Sequence, residues 1–412
     1  MSTALQDAFP TRIFPAADPN ASSTSTVDSS ILPLPALVLG AGTFGTDYNT
    51  PEHLSSSIPV ETLRLCFRYG MTALDTSPYY TTSETVVGRA LKKLSDEFPR
   101  SSYQLITKAG RYGRTRETGF DYSRERVRSS VEKSLELFGT NYLDGCYMHD
   151  VEFVSESVGG GSSGGHTVDA DGQISEEDLR RWGCAEGDEA TVHGPGDEKV
   201  LEAMAALFEL KKAGKIKAVG FSGYPLPTML RLARLVAAKL EPLDIMQSYC
   251  HHTLQNTTLS SFTPYFKAAG VKQIISASPL SMGLLRTAGG QAWHPASPEL
   301  QKANTQAIET LAARGVKLED VALGFGFASA ALGEDATPTP IVVGLSKPSE
   351  VVATMEVYSK IYLAQNEAAR KGRKPGEGLG EANQEQLECE RIAVDLFKQS
   401  GTYNWTWPSG GL

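Results

Sequence analysis

No stretch of this chain holds the roughly 20 consecutive apolar residues that a membrane-spanning helix requires. Long basic runs are missing too, and the formal net charge is −9. Nucleic acid and anionic membrane are therefore not expected as partners, since both need concentrated positive charge. Cysteine is scarce: Cys66, Cys146, Cys184, Cys250 and Cys389 are scattered, odd in number, and without zinc-ligand or CxxC spacing. That excludes a disulfide framework and fits reduced thiols in a cytosolic compartment. The first residues are rich in Ser, Thr and Pro and lack the basic-then-apolar pattern of a secretory signal. The expectation is a cytoplasmic protein; the sequence points to no protein partner.

What is there is rhythm. Residues 1–32 read as a flexible lead-in, with the polar run Ser22-Ser23-Thr24-Ser25-Thr26, several prolines and no periodicity. After it, short apolar runs resembling strands recur at Leu37–Gly40, Thr72–Asp75, Tyr103–Lys108, Asp144–His149, Lys217–Phe221, Asp244–Gln247, Gln273–Ala277 and Pro340–Gly344. Amphipathic helical segments lie between them, one carrying Val127, Val131, Leu135 and Phe138, another Met229, Leu232, Ala233 and Val236. Strand–helix alternation means a parallel sheet covered by helices. About eight such units favour a closed (β/α)8 TIM barrel over an open sheet, with 33–412 as one domain. Two stretches break the rhythm. Residues 155–198, with a Gly/Ser run at 159–165, read as a long, flexible insertion after strand 4, and 366–382 as another loop. A last helix is expected over 383–399.

Gly40-Ala41-Gly42-Thr43-Phe44-Gly45 matches the dinucleotide-binding fingerprint literally, with Glu61 about twenty residues on. The fingerprint needs a helix opening at the glycines, whereas turn-forming residues, Thr46 to Pro51, follow here. The better reading is a glycine-rich loop at a strand end, close to a ligand.

Ionisable residues gather at three successive strand ends. Asp75 opens Asp-Thr-Ser-Pro-Tyr-Tyr, with Tyr80 five residues later; Lys108 ends the third run; His149 ends the fourth and is followed by Asp150. In a barrel these ends converge on the face where active sites form. A lysine ammonium beside a tyrosine stabilises the phenolate and is expected to lower its pKa. Asp75 would hold Lys108, His149 would position the reacting oxygen, and Tyr80 would serve as general base or acid. Tyr79 is the competing choice for the exposed aromatic.

With Asp and Tyr five apart after strand 2, Lys after strand 3 and His after strand 4, the sequence resembles the aldo-keto reductases from about Leu37 to Tyr362. The resemblance implies a nicotinamide cofactor. It places Gly42 and Thr43 in the first cofactor loop, Ser222 and Gln247 against the carboxamide, and Ser278, Leu280 and Gly283 over the pyrophosphate. Gly344, Ser346 and Lys347 form the last cofactor loop at a helix start suited to phosphate. The runs Met148–Phe153, Ser248–Cys250 with Thr253–Thr257, and Ala277–Leu285 look most like the branch of D-arabinose 1-dehydrogenases and L-galactose dehydrogenases. That branch implies a sugar substrate, oxidised at its anomeric hydroxyl to a lactone. Two alternatives remain: an NADP-linked carbonyl reductase using the same four residues, and a nucleotide-sensing regulatory subunit with little turnover.

Departures from the family pattern carry information. Ala277 stands where many members stack an aromatic ring, and Gly223 replaces an Asn. Glu350 stands where NADP-preferring members carry an arginine, which favours NAD over NADP because a carboxylate repels a 2′-phosphate; the alternative is a carboxylate capping a helix. Thr167 to Asp178 partly resembles a calcium loop, but its first position is Thr, its last is Asp, and a glycine run precedes it, so it reads as a solvated acidic loop. Cys250-His251-His252 lacks a fourth ligand, and no metal site is expected. Trp405 and Trp407 alternate, as expected of residues pinning the tail to the barrel or capping its pocket.

Overall fold

The computed structural model describes residue 32 and residues 34–160, 164–328, 339–370 and 384–408. Eight parallel strands close on themselves: β1 (Leu37–Gly40), β2 (Ala73–Asp75), β3 (Gln104–Ala109), β4 (Leu143–His149), β5 (Ile216–Gly223), β6 (Ile245–Tyr249), β7 (Gln273–Ala277) and β8 (Ile341–Gly344). Each pairs with the next in chain order, and β8 returns to β1 through Leu37↔Ile341 and Gly40↔Gly344. This is the (β/α)8 barrel that the alternation predicts.

Both strand faces are buried, so the strands read as nearly continuous apolar runs. Side chains still alternate with period two. Val38, Ala73, Ile106, Tyr147, Ala218, Ile245, Ile275 and Val342 fill the barrel interior. Their neighbours Leu39, Leu74, Leu105, Cys146, Val219, Met246, Ile274 and Val343 face the surrounding helices. Two steps beyond the inward layer, at the same parity, stand Asp75, Lys108, His149 and Gln247; Ser222 is four steps beyond Ala218. Strand alternation therefore aims these polar side chains at the barrel axis.

The covering helices are α1 (Ile58–Arg68), α2 (Ser83–Leu94), α3 (Arg124–Phe138), α4 (Pro195–Lys212), α5 (Leu226–Lys239), α6 (Thr258–Ala268), α7 (Leu318–Ala328) and α8 (Pro348–Arg370). In α3, Ser123 accepts the Arg126 N–H at the start, and Gly139 ends the helix at φ 64°. Its predicted apolar face is buried. Two further helices, Pro298–Ala312 and Gln384–Gln399, share a second core beside the barrel through Leu300, Ala307, Leu311, Cys389, Ala393 and Phe397.

Three boundaries differ from expectation. The lead-in, residues 1–31, lies outside the described residues, but Leu32 is buried in the barrel-interior cluster, and its carbonyl accepts from Gln273. Leu32 thus belongs to the packed barrel, because its side chain fills space beneath the inward layer.

The 155–198 insertion is largely packed rather than a loose loop. It holds a helix, Glu176–Arg181, capped by Ser175, and buries Val168, Trp182 and Cys184. Gly165–His166 pairs antiparallel with Trp405–Thr406. Its end is set earlier than expected by Pro195 at the first turn of α4, with Asp197 receiving Arg231 at 2.6 and 2.9 Å. A few apolar anchors within polar, glycine-rich text suffice to order it. Residues 161–163 lie outside the described residues.

The expected 366–382 loop begins later, since α8 runs through Arg370 on good helix formers; 371–382 lie outside the described residues.

Candidate active site

Lys108, fully buried on β3, donates from Nζ to Asp75 Oδ1 at 2.5 Å and to the Thr76 carbonyl at 3.1 Å. Asp75 Oδ2 receives Gln247 Nε2 at 3.0 Å, and Gln247 Oε1 receives Ser222 Oγ at 3.1 Å. A single polar chain therefore links the ends of β5, β6, β2 and β3. Tyr80 reaches it from the loop after β2. A turn closed by Tyr80 N donating to Ser77 O, with Pro78 inside it, directs the ring inward. The ammonium of Lys108 lies 4.9 Å from the Tyr80 ring centroid, and the His149 ring meets that ring edge-on at 5.5 Å. Tyr79 takes another partner: its hydroxyl accepts Arg111 Nη2 at 3.0 Å. The structure thus brings Asp75, Tyr80, Lys108 and His149 together and turns Tyr79 to Arg111.

The electrostatics depart from expectation at one point. Burial pulls the Lys108 ammonium down, but Asp75 and Tyr80 outweigh it, and its pKa is raised. Tyr80, expected to be lowered by Lys108, is raised: burial exceeds the lowering by Lys108. His149 is held well below the ordinary histidine value by burial, then by the positive charges of Lys108 and Arg111. At neutral pH the set is thus an ammonium, a phenol and a neutral imidazole.

The residues assigned to a cofactor line the same end of the barrel. Gly42 sits in a 3-10 turn, Ala41–Phe44, not at a helix start. A side chain there would begin 3.5 Å from the Tyr80 ring, so the bare backbone lies against the tyrosine. Thr43 Oγ1 donates to the Leu345 carbonyl at 2.8 Å, tying the first loop to the last. A Cβ on Gly344 would stand 3.0 Å from the Thr43 methyl, which leaves little room for a side chain. In the loop after β7, Ser278, Ser281, Met282 and Gly283 all have left-handed φ, between 50° and 89°, and Leu280 is partly buried. Non-glycine residues in that region are strained and concentrate at ligand sites. Ser346 N donates to Glu350 Oε2 at 2.7 Å, and Lys347 Nζ stands 3.9 Å from Glu350 Oε1. Glu350 therefore caps the start of α8 with its own carboxylate.

Ala277 is buried in the barrel interior beside Tyr249 and cannot supply a ring. Gly223 is explained by Glu152, whose carboxylate would stand 2.6 Å from a Cβ there, with Oε1 accepting the Tyr224 N–H. Trp407 stacks on Tyr224 at 4.7 Å and its backbone N–H donates to the Tyr224 hydroxyl, so the tail is pinned over the loop that follows β5. The acidic loop folds on itself, Asp169 Oδ1 accepting the N–H groups of Asp171 and Gln173. Among the described residues no group of three or more His, Cys, Asp or Glu could hold a metal ion, and no helix is long and apolar enough to cross a membrane. The five cysteines are buried and unpaired.

Sequence reasoning missed several residues. Arg111, three positions past Lys108, forms a buried ion pair with Asp150 at 2.5 Å. Ser77 Oγ lies 2.9 Å from His149 Nδ1. Asn49 donates to Ser346 Oγ at 2.9 Å, and His53 Nε2 lies 3.0 Å from the Ser346 carbonyl, clasping the first loop onto the last. A cation just past one strand end and an acid just past the next was the available signal for Arg111 and Asp150. Nothing local marks Asn49 or His53.

The Aldo/keto reductase family profile matches residues 36–371. The chain is 32% identical over 383 residues to L-galactose dehydrogenase of Arabidopsis thaliana, covering 92% of this chain and 95% of that protein. It is 33% identical over 380 residues to D-arabinose 1-dehydrogenase of Saccharomyces cerevisiae, covering 91% and 93%. Among solved structures, glycerol dehydrogenase of Gluconobacter oxydans superposes with a TM-score of 0.54 at 19% identity, covering 90% of this chain and 93% of that one, a likeness of fold. A family match over most of the length, two full-length relatives and a closed eight-stranded barrel place this chain in the aldo/keto reductase family.

Proposed function

We propose that this oxidoreductase oxidises the anomeric C1 hydroxyl of an aldose, of the D-arabinose or L-galactose type, to the aldonolactone, with NAD as hydride acceptor and Tyr80 as general base. The observation that carries the reading is joint. Similarity to two sugar dehydrogenases spans more than nine-tenths of the chain, and Asp75, Tyr80, Lys108 and His149 meet at one end of the barrel.

Aldo-keto reductases use nicotinamide cofactors, and the residues here fit one. Ser222 and Gln247 offer a hydroxyl and an amide beside Asp75, suited to a carboxamide. Gly42, Gly344 and the left-handed Ser278–Gly283 loop present backbone, while Lys347 and the start of α8 favour phosphate. Glu350 caps α8 through the Ser346 N–H, and its negative charge beside that loop still supports NAD, because it would repel a 2′-phosphate. Bound there, the oxidised nicotinamide supplies the acceptor for the C1 hydride.

The chain's own part is to hold and move the proton. Lys108, kept charged by Asp75, favours the phenolate of Tyr80 against the effect of burial. Tyr80 takes the hydroxyl proton as the C1–O bond becomes a carbonyl, and His149, neutral, orients that oxygen. One observation favours the reverse reaction: with its pKa raised by burial, Tyr80 is a phenol at neutral pH, ready to protonate a carbonyl oxygen during reduction.

Steady-state oxidation of D-arabinose, L-galactose and L-fucose, with NAD and NADP in parallel, tests the reading in wild type and Tyr80→Phe. NAD-linked turnover that rises with pH and collapses in the variant is the expected result. Turnover confined to NADPH and carbonyl substrates favours the reductase; tight nucleotide binding without turnover sinks both.

A further inference from the structure

A second carboxylate stands beside the imidazole that orients the reacting oxygen. Ser77 Oγ lies 2.9 Å from His149 Nδ1, which leaves Nε2 as the ring nitrogen facing that oxygen, and Asp150 Oδ2 is 3.5 Å from Nε2. Strand alternation would send the residue after an inward His149 outward. Asp150 instead adopts the left-handed conformation, φ 55° and ψ 59°, with its N–H donating to the Ser222 carbonyl at 2.6 Å. That turn brings two consecutive side chains to the same space, and it strains the backbone in the way that collects at ligand sites.

The carboxylate is only half used. Oδ2 receives Arg111 Nη1 at 2.5 Å, whereas Oδ1 takes no donor from the protein among the described residues and is not sealed from solvent. Arg111 is held away from it. Its guanidinium lies 3.7 Å from the Tyr79 ring centroid, with Phe120 and Phe153 also around it, and Nη2 donates to the Tyr79 hydroxyl. Burial raises the Asp150 carboxyl above the usual carboxylate value and Arg111 opposes that rise, so the guanidinium favours an anionic acceptor there. Such a buried pair adds little stability, since apolar side chains of similar volume hold a fold as well. A pocket for a simple carbonyl compound has no use for it, but a polyhydroxylated substrate does.

We propose that Asp150 is a substrate-specificity residue whose Oδ1 accepts the hydrogen bond of the sugar's 2-hydroxyl, the one vicinal to the reacting C1 oxygen. Vicinal hydroxyl oxygens are about as far apart as two hydrogen-bonded atoms, so one beside His149 Nε2 puts the next beside Asp150. On the other side of C1 the ring oxygen carries no proton and gives a carboxylate nothing to accept. His149 and Asp150 together therefore distinguish the two neighbours of C1 and fix which face of that carbon turns toward the nicotinamide. The class selected is an aldose with free hydroxyls at C1 and C2; 2-deoxy sugars and simple aldehydes or ketones are disfavoured.

The inference rests on the proposed C1 oxidation, and the test separates the two. D-Arabinose and L-galactose are each compared with their 2-deoxy counterparts, using full-length wild type and Asp150→Asn, a change that a left-handed backbone accommodates. In the variant the amide oxygen faces Arg111 and the NH2 group replaces Oδ1, so an acceptor becomes a donor. Wild type should favour the 2-hydroxy sugar about 100-fold in kcat/KM, as expected of a hydrogen bond to a charged group. Asp150→Asn should lower kcat/KM for that sugar by a similar factor and leave the 2-deoxy sugar within about threefold, so the discrimination collapses. A merely structural role would lower both sugars alike and overturns the proposal. So does a wild type that oxidises both equally well, a result that stands even should the variant fail to fold. Oxidation without discrimination removes this inference alone, whereas no oxidation of any sugar removes the C1 reading and this one with it.

Discussion

Buried carboxylates stand at both ends of this barrel, and they are held differently. At the end where the strands begin, Asp144 receives Arg100 at 2.6 Å, Lys217 at 2.8 Å and the Leu105 N–H at 2.9 Å. Asp244 receives Lys211 at 2.5 Å, Lys272 at 3.0 Å and the Val219 N–H at 3.0 Å. Each takes two cations that remain partly exposed and one backbone donor from a neighbouring strand, so each staples adjacent strands. At the other end, Asp75 and Asp150 hold cations that are themselves buried, Lys108 and Arg111, and those cations face Tyr80 and His149. The same pairing of charges staples strands where its cations reach solvent and, where they do not, sets a buried positive charge beside Tyr80 and His149. This is the division of labour expected of a barrel, with stability at the strand starts and chemistry at the strand ends.

The contrast can be broken most strongly at Lys108. Lys108→Met should lower turnover by about 10³-fold, since Tyr80 then loses the charge that opposes its burial. Steady-state kinetics alongside nucleotide titration would check that binding persists. Asp244→Asn should do the opposite: stability falls by about 2 kcal/mol in urea unfolding, because Lys211 and Lys272 lose their partner, while kcat per folded molecule stays within about twofold.

Acid should attack the end that carries His149. His251 and His252, just past β6, are buried, and burial lowers them to about 3 and about 4, with His149 also well below its ordinary value. Unfolded histidines titrate near 6.5, so the unfolded chain gains protons first as pH falls. Stability is therefore full above about pH 6.5 and drops below it, by up to about 1.4 kcal/mol per pH unit for each histidine, until the folded values are passed. Hydrogen exchange should show the loops after β4 and β6 opening first below pH 6; uniform opening would erase the difference between the ends. The smallest effect belongs to Glu350→Gln, which should improve NADP relative to NAD about 10-fold by removing one repelling charge, read as a ratio of kcat/KM.

Legibility in the sequence followed the range of the forces involved. Strand positions came out to within a residue or two, because both faces of each strand are buried, Val38, Ala73 and Ile106 inward and Leu39, Leu74 and Leu105 toward the helices, so each reads as a short apolar run. The placement of Lys108 and His149 was equally visible, since a polar residue two steps past an inward apolar one must point inward too. The packed insertion was not legible. Trp182 and Val168 find their partners only through the fold, and glycine-rich text around them reads as a loop. Glu350 was legible as a carboxylate either selecting a cofactor or capping a helix, and its bond to Ser346 N, the capping contact, depends on where α8 begins.

By itself, then, the sequence determined the barrel, the convergence of Asp75, Lys108 and His149, and the glycine-bearing loops, all of which follow from strand periodicity and local turn chemistry. Only the tertiary structure decided which tyrosine faces Lys108, that Arg111 crosses to Asp150, and that burial of Tyr80 outweighs the lysine beside it. Those outcomes turn on distances between strands and on exclusion of water, which exist only once the sheet has closed.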